Sequence, residues 1–341
     1  MSTDNPGKVL HGMATGFFRS RVLCTAARLG IADVMDTGER TVAELATASQ
    51  SDPESLYRLL RALATFGIVH ETGPATFALT PLGLPLRKSA PDSAWAGIVF
   101  WADLLADNWS YLTECIRTGG RSFEIMKERG VTSRFMTDPE AGNVFRAVMG
   151  TGPVQSYLPF AGAFDFSSHR VVADLGGGGG ALIAAILETH PGVRGMLVDR
   201  EESVKGASER IAAEGLTSRC ECITADLKEA VPMGADVFLM QHVLHGYSDG
   251  EAAGILRNVR NVIPADGRLL VIEFVLPDLF NTVDAELEYR VMSDLNMLAV
   301  TGGKERSAAE WRELLPQGGF QVQRVIAVPD SPASIVEGVP V

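Results

Sequence analysis

After Asp165 the chain alternates short apolar runs with helical stretches, and no other feature of the sequence restricts its fold as strongly. The runs are Arg170-Val-Val-Ala-Asp174, Gly195-Met-Leu-Val-Asp199, Glu221-Cys-Ile-Thr-Ala225, Asp236-Val-Phe-Leu-Met240 and Arg268-Leu-Leu-Val-Ile-Glu273. Brief continuous runs of this kind read as strands buried on both faces. Strands separated by helices form βαβ units, so the expected class is α/β with a mostly parallel sheet covered on both sides. Sheets of that type bind ligands beyond the carboxyl ends of their strands, and that edge is where functional residues should gather.

The preceding part of the chain follows a different pattern. Between Arg19 and Met35 the residues Val22, Leu23, Ala26, Leu29 and Val34 recur at helical spacing, and Gly30 supplies a stop. Thr41-Val-Ala-Glu44 is a capping box, and Ser51-Asp-Pro-Glu54 repeats the device ahead of Leu56, Leu59, Leu60 and Leu63. Ile68-Val-His70 and Phe77-Ala-Leu-Thr80 flank Thr72-Gly-Pro74 as a small hairpin. Three helices and a hairpin in that order predict a winged helix, which either reads DNA or packs against a second copy. A formal charge of −12 disfavours phosphate backbones, so the homodimer is the expected partner and nucleic acid is not. Arg19, Arg21 and Arg28 are the nearest thing to a basic patch and are read as a solvated helix face. From Trp95 to Leu158 the chain reads as helical and rich in Trp, Phe and Met, side chains that serve both ordinary packing and flat apolar ligands.

The composition narrows the class further. Hydrophobic residues make up 46% of 341, enough for a substantial core, yet no run approaches the roughly eighteen apolar residues of a membrane span. The first residues lack the basic-then-apolar layout of a signal peptide, so a soluble cytoplasmic protein with no membrane partner is expected. Four scattered cysteines, Cys24, Cys115, Cys220 and Cys222, supply neither a disulfide framework nor a thiolate metal site.

The sharpest local signal is Asp174-Leu-Gly-Gly-Gly-Gly-Gly180-Ala181, placed directly after the first run and before a helical stretch. Glycines there permit a tight turn and close ligand approach. Gly176, Gly178 and Ala181 match the dinucleotide fingerprint, but that pattern alone is weak. Asp174 tips the balance: a carboxylate beside the turn repels a pyrophosphate and attracts the ammonium of a methionine moiety, so S-adenosylmethionine is the expected cofactor. Asp199 ends the next strand and is suited to ribose hydroxyls; Asp226 with Leu227 ends a third and suits the adenine amino group and ring.

With this site come Gln241-His-Val-Leu-His-Gly-Tyr-Ser-Asp249, Glu273, Asp294-Leu-Asn-Met-Leu and Gly302-Gly-Lys-Glu-Arg306. Over nearly its whole length the chain thereby resembles the S-adenosylmethionine-dependent O-methyltransferases of the plant caffeic-acid and bacterial antibiotic (carminomycin, mitomycin, phenazine) type. The resemblance implies a winged-helix dimerisation domain over residues 1–95, a helical linker lining the acceptor pocket over 96–165, and a Rossmann-like class I methyltransferase domain over 166–341. It implies that His245 is the general base, flanked by Glu273 and Glu305, and that Met149 and Met297 sandwich an aromatic acceptor. Gln241, where plant members have lysine, joins the expected cofactor contacts, while Trp101 and Trp109 are candidate acceptor contacts.

The chemistry agrees with that assignment. An unperturbed phenol, with pKa about 10, is mostly protonated at neutral pH, and an imidazole can take its proton during attack on the methyl. Gly246 and Tyr247 replace the family's aspartate and tryptophan after the base. His242 is read as a satisfied core histidine. No oxygen-rich cluster for Mg²⁺ stands out, so no metal is expected. The alternatives are an N-methyltransferase of the same fold, a hydroxylase of that fold, the latter alone opposed by the presence of His245, and more distantly an NAD-dependent oxidoreductase or a metabolite-sensing winged-helix regulator.

Overall fold

The computed structural model describes residues 5–150 and 152–341; Met1–Asp4, the start of the segment read above for a signal peptide, lie outside them. The chain forms two compact units, one running to Asp107 and including Thr132–Val148, the other made of Asn108–Val131 and Met149–Val341. The stretch over 96–165 is therefore shared between the two units.

In the first unit, helices Phe17–Arg28 and Ile31–Met35 are separated by Gly30, whose φ of 65° only a residue without Cβ adopts freely. Strand β1 (Arg40–Thr41) leads into helix Val42–Ser49, which opens on the expected capping box of Thr41 and Glu44. The next helix, Pro53–Thr65, is capped by Asp52, which accepts from the Ser55 N–H, and not by Ser51. The reason is Pro53: it occupies the first helical position with φ preset and no N–H to satisfy, so the residue just before it becomes the cap. This helix buries Leu56, Leu60 and Leu63 along one face. Strands β2 (Val69–Gly73) and β3 (Thr76–Leu79) then pair antiparallel, with β1 on the other edge of β3.

Arg28 is not on a solvated face: its guanidinium binds Asp103 at 2.7 Å and Asp138 at 2.6 Å. Asp103 itself is buried within a π-helical turn, Phe100–Leu104, and Arg134 also pairs with it. Burying a carboxylate costs far less when it is paired, and here the apparent basic patch supplies the pairing. Phe100, Phe135 and Phe145 meet edge-to-face or tilted with centroids 6.0–6.3 Å apart, so these aromatic residues pack among themselves.

The second unit is built on a seven-stranded sheet. Strands β4 (Val171–Leu175), β5 (Arg194–Asp199), β6 (Cys220–Thr224), β7 (Val237–Gln241) and β8 (Arg268–Glu273) correspond to the five apolar runs. Short strands β9 (Val275–Leu276) and β10 (Arg306–Ser307) pair parallel with each other. Strands β11 (Phe320–Ala327) and β12 (Ser334–Pro340) were not among the runs read from sequence; they close the sheet antiparallel, in the order β11-β12-β8-β7-β4-β5-β6. Strand alternation divides the core between the faces. Val172, Val237 and Leu239 pack with helix Ala181–Thr189, whereas Ala173, Phe238 and Met240 pack with Ile255, Leu256 and Trp311. Leu182, Ile183, Ile186 and Leu187 of the first helix are all buried, each contributing about 1.5–3 kcal/mol. Among the described residues no helix is long and apolar enough to cross a membrane.

Candidate active site

The parallel strands bring the residues singled out from sequence to one edge. Strand β4 delivers Asp174, and Gly176, Gly178 and Gly180 turn the chain with φ of 72°, 53° and 78° into helix Ala181–Thr189. Space requires glycine here as well, since a Cβ on Gly176 would stand 2.7 Å from the Val243 side chain and one on Gly177 2.9 Å from the Asp174 carboxylate. Asp174 is 1% exposed, and neither carboxylate oxygen has a well-formed hydrogen bond. Burial, reinforced by the charge of Asp199, pushes its pKa up to about 7 against a smaller downward pull from the Ile183 N–H. A bare buried carboxylate beside a glycine loop is the complement of a cationic ligand group, and it fits the ammonium expected there.

Asp199 ends β5 and accepts from the Gly178 N–H at 2.8 Å and the Arg200 N–H at 2.6 Å. It therefore ties the glycine loop to the neighbouring strand, while a carboxylate's four lone-pair sites leave acceptors over for ribose hydroxyls. Asp226 is exposed and caps its own turn by accepting from Lys228 N–H at 2.9 Å; Leu227 beside it is buried. Gln241 closes β7 at the same edge, half-buried.

Beyond Gln241 the chain makes a sharp turn. His242 has φ of 51°, and a 3₁₀ turn, Leu244–Gly246, presents His245. Glu273, fully buried at the end of β8, organises this loop: one oxygen accepts from the Val243 N–H at 3.1 Å and the His245 N–H at 3.2 Å, the other faces Nδ1 of His242 at 3.2 Å. The direct partner of the His245 ring is instead Glu305, whose Oε1 takes Nδ1–H at 2.8 Å; Glu273 lies at 3.4 Å. The pairing of β9 with β10 is what carries Glu305 to within reach of the loop that Glu273 anchors. In the neutral ring, whose proton Glu305 holds on Nδ1, Nε2 is the nitrogen left to accept one. Burial alone would lower the pKa of His245, but the charges of Glu273 and Glu305 outweigh it and push it up to about 9. Burial likewise raises Glu273, yet His245 and His242 bring its pKa below the usual carboxylate range. His242 is satisfied but is not a core residue, its side chain being 34% exposed.

Four further residues complete this arrangement and were given no role from sequence. Ser293 Oγ donates to Glu305 Oε1 at 2.7 Å, and Asp294 accepts from the Glu305 N–H at 2.9 Å. Arg306 is fully buried and binds the carbonyls of Leu244 and Tyr247, each at 3.1 Å, as well as Asp249 at 2.8 Å. It latches the loop that carries His245. A Cβ on Gly303 would lie 1.9 Å from the His245 carbonyl, so only glycine lets the two segments meet. The Gly-Gly-Lys-Glu-Arg motif marks the segment, but the close approach and the burial of Arg306 exist only once the His245 loop lies against it.

The residues expected against the acceptor are placed unequally. Met297 is half-buried one turn beyond Ser293 on helix Ala285–Val300. The Met149 carbonyl lies 3.7 Å from where a Gly178 Cβ would be, and its side chain is 49% exposed. Trp109 is half-buried and donates from Nε1 to Asn296 at 3.1 Å. Trp101 belongs to the other unit, 48% exposed, with its ring 4.8 Å from that of Phe100.

Comparison with known proteins places these features in context. A family model described as an O-methyltransferase domain matches residues 109–321, and one described as an O-methyltransferase dimerisation domain matches 12–87. The O-demethylpuromycin-O-methyltransferase of Streptomyces alboniger is 39% identical, across 96% of this chain and 87% of its own. The solved mitomycin 7-O-methyltransferase superposes with a TM-score of 0.88 at 33% identity, covering 98% of each chain. An O-methyltransferase from neocarzinostatin biosynthesis, solved with S-adenosylmethionine and 2-hydroxy-5-methyl naphthoic acid, superposes with a TM-score of 0.80 at 29% identity over 100% of both chains.

Proposed function

The chain belongs to the O-methyltransferase family, and from that premise we propose that it transfers the methyl group of S-adenosylmethionine to a hydroxyl of a small aromatic secondary metabolite, His245 acting as general base. The observation that carries the base assignment is the pinned imidazole: Glu305 holds Nδ1 at 2.8 Å at the sheet edge that also carries Asp174 and the glycine loop. The donor supplies an electrophilic methyl on a cationic sulfur. Everything else falls to the protein. Asp174 takes the donor's ammonium, Asp199 its ribose hydroxyls, and Asp226 with Leu227 its adenine; Gly176 and Gly178 allow close approach and Gln241 borders the site. Met149 and Met297 offer polarisable surfaces to the acceptor ring, with Trp109 beside Met297's helix. Nε2 of His245 accepts the hydroxyl proton as oxygen attacks, and Glu305 and Glu273 stabilise the resulting imidazolium.

Residues 12–87 supply a dimerisation domain, and we infer a homodimer without nucleic-acid contact, since the net charge of −12 opposes phosphate binding. The cytoplasm, where the donor is made, is the inferred site of action. Incubating the protein with labelled donor and a panel of phenols, aromatic amines and carboxylates, then weighing the products, tests the reading. Methylated phenols that vanish with His245→Ala are the expected result. Methyl transfer to amines alone would overturn oxygen as the acceptor.

A further inference from the structure

Two imidazole nitrogens face one buried carboxylate oxygen. Nδ1 of His242 lies 3.2 Å and Nδ1 of His245 3.4 Å from Oε2 of Glu273, and the cluster of His242, His245 and Glu273 places one ligand atom from each within 4.8 Å of the others. Ligand atoms held about 2.0–2.1 Å from a tetrahedral Zn²⁺ stand about 3.3–3.4 Å apart, so two edges of such a site already have its dimensions. The third closes by turning the His242 ring, which is the exposed member of the set. Glu305 adds a second buried carboxylate: its Oε1 lies 2.8 Å from Nδ1 of His245, and its Oε2 is buried with no hydrogen-bond partner, so a divalent cation on that nitrogen would be met by two negative charges.

We propose that His242, His245 and Glu273 form an inhibitory site for Zn²⁺. The nitrogen-rich set suits zinc and does not suit Mg²⁺, which demands octahedral oxygen ligands. Coordination at Nδ1 of His245 puts the metal where the proton shared with Glu305 stood; the proton leaves to solvent and the Glu305 carboxylate, 2.8 Å from Nδ1, meets the metal instead. A neutral ring then keeps its single proton on Nε2, the atom required to accept the hydroxyl proton. The base is switched off by a change of tautomer, without blocking the donor. This inhibition rests on the reading of His245 as base, whereas the site rests on geometry alone.

The test uses the full chain after treatment with a chelator. Zinc binding is measured by competition with a chromophoric chelator, and turnover in zinc-buffered solutions is referred to each variant's own metal-free rate. His242→Asn removes one ligand, and Asn tolerates the positive φ at this position. Cys222→Ser controls for the half-buried thiol. Expected are one zinc per chain, at least about tenfold weaker binding in His242→Asn with a matching rise in inhibition constant, no change in Cys222→Ser and no inhibition by millimolar Mg²⁺. Equal zinc affinity in wild type and His242→Asn, or loss of binding in Cys222→Ser, would overturn the site. Zinc bound in a His242-dependent way to an enzyme that keeps full turnover would overturn the inhibition, while the loss or survival of metal-free turnover in His245→Ala judges the base assignment by itself.

Discussion

Replacing Glu305 by Gln separates the two things this carboxylate does to His245. The amide oxygen still accepts the Nδ1–H bond now made at 2.8 Å, so the ring keeps its orientation, but the negative charge is gone. In the native protein the interval between 6.5 and about 9 amounts to about 3 kcal/mol in favour of the protonated ring. Only about 1% of His245 is then neutral at pH 7 in the free enzyme. Native kcat/KM for the donor should climb about tenfold per pH unit from 7 and level off near 9. In Glu305→Gln, Glu273 alone remains, and the rise should end about one to two pH units lower. The plateau should also fall at least about tenfold, because the imidazolium formed during proton transfer has lost its nearest counter-charge. Product formation followed by mass from pH 6 to 10, with two acceptors of different known pKa, separates enzyme from substrate: a rise that moves with the acceptor belongs to the acceptor. A Glu305→Gln profile that still levels near pH 9 with both acceptors would refute the argument, since His245 could not then be the titrating group.

His245→Ala should fold, bind S-adenosylhomocysteine within a few-fold of native by calorimetry, and lose about 10²–10⁴ in turnover, less with acidic phenols; native turnover would disprove the base. Asp174→Asn should weaken donor binding, yet raise the melting temperature of the ligand-free protein at pH 8. There the buried charge costs up to about 4 kcal/mol, of which the unpaired amide returns about 1–3; an unchanged melt would show that the carboxylate is already neutral or paired. The pH dependence of stability carries the same sign for both groups. The contribution of His245 is complete below pH 6.5 and fades as pH rises through about 9, and that of Asp174 is complete below 3.8 and fades through about 7. Chemical denaturation of the ligand-free protein should accordingly show stability falling from pH 6 to 9.5, a trend that His245→Ala reduces. Gly303→Ala, whose Cβ would meet the His245 carbonyl, should cost turnover more than about tenfold while donor affinity holds; calorimetry and rate measurements showing native values for both would mean the two segments meet less closely than described.

What the sequence made legible follows from the range of the interactions involved. Strands β4, β5, β7 and β8 were readable because continuous apolar runs report burial on both faces residue by residue; β6 was read the same way but lies at the sheet's edge and is only partly buried. Strand β11 was not, since Gln321, Gln323 and Arg324 interrupt the apolar pattern on a strand at the edge of the sheet; in β12, which lies inside it, Glu337 and Gly338 break the run. The acidic residues at strand ends were visible as positions, but Asp199 serves the backbone of the glycine loop as well, which local pattern does not encode. Glu273 and Glu305 were both recognisable as flanking the base. Which of them takes the Nδ1 proton depends on a pairing between residues about thirty positions apart, Val275 with Arg306. The same distance hid Gly303 and Arg306, whose importance exists only once the base loop lies against them.

The solitary carboxylate of Asp174 has a kinetic consequence. The ammonium it is assigned to hold lies at the amino-acid end of the donor, far in bonds from the sulfur that changes, so it is the same before and after reaction. Asp174 thus grips spent donor as firmly as fresh donor, and this part of the binding lowers KM without lowering the barrier. Discrimination between the two has to come from the discharged sulfur and the missing methyl. An enzyme anchored in this way is prone to stall with its product in place, and its flux depends on how fast the cell clears S-adenosylhomocysteine.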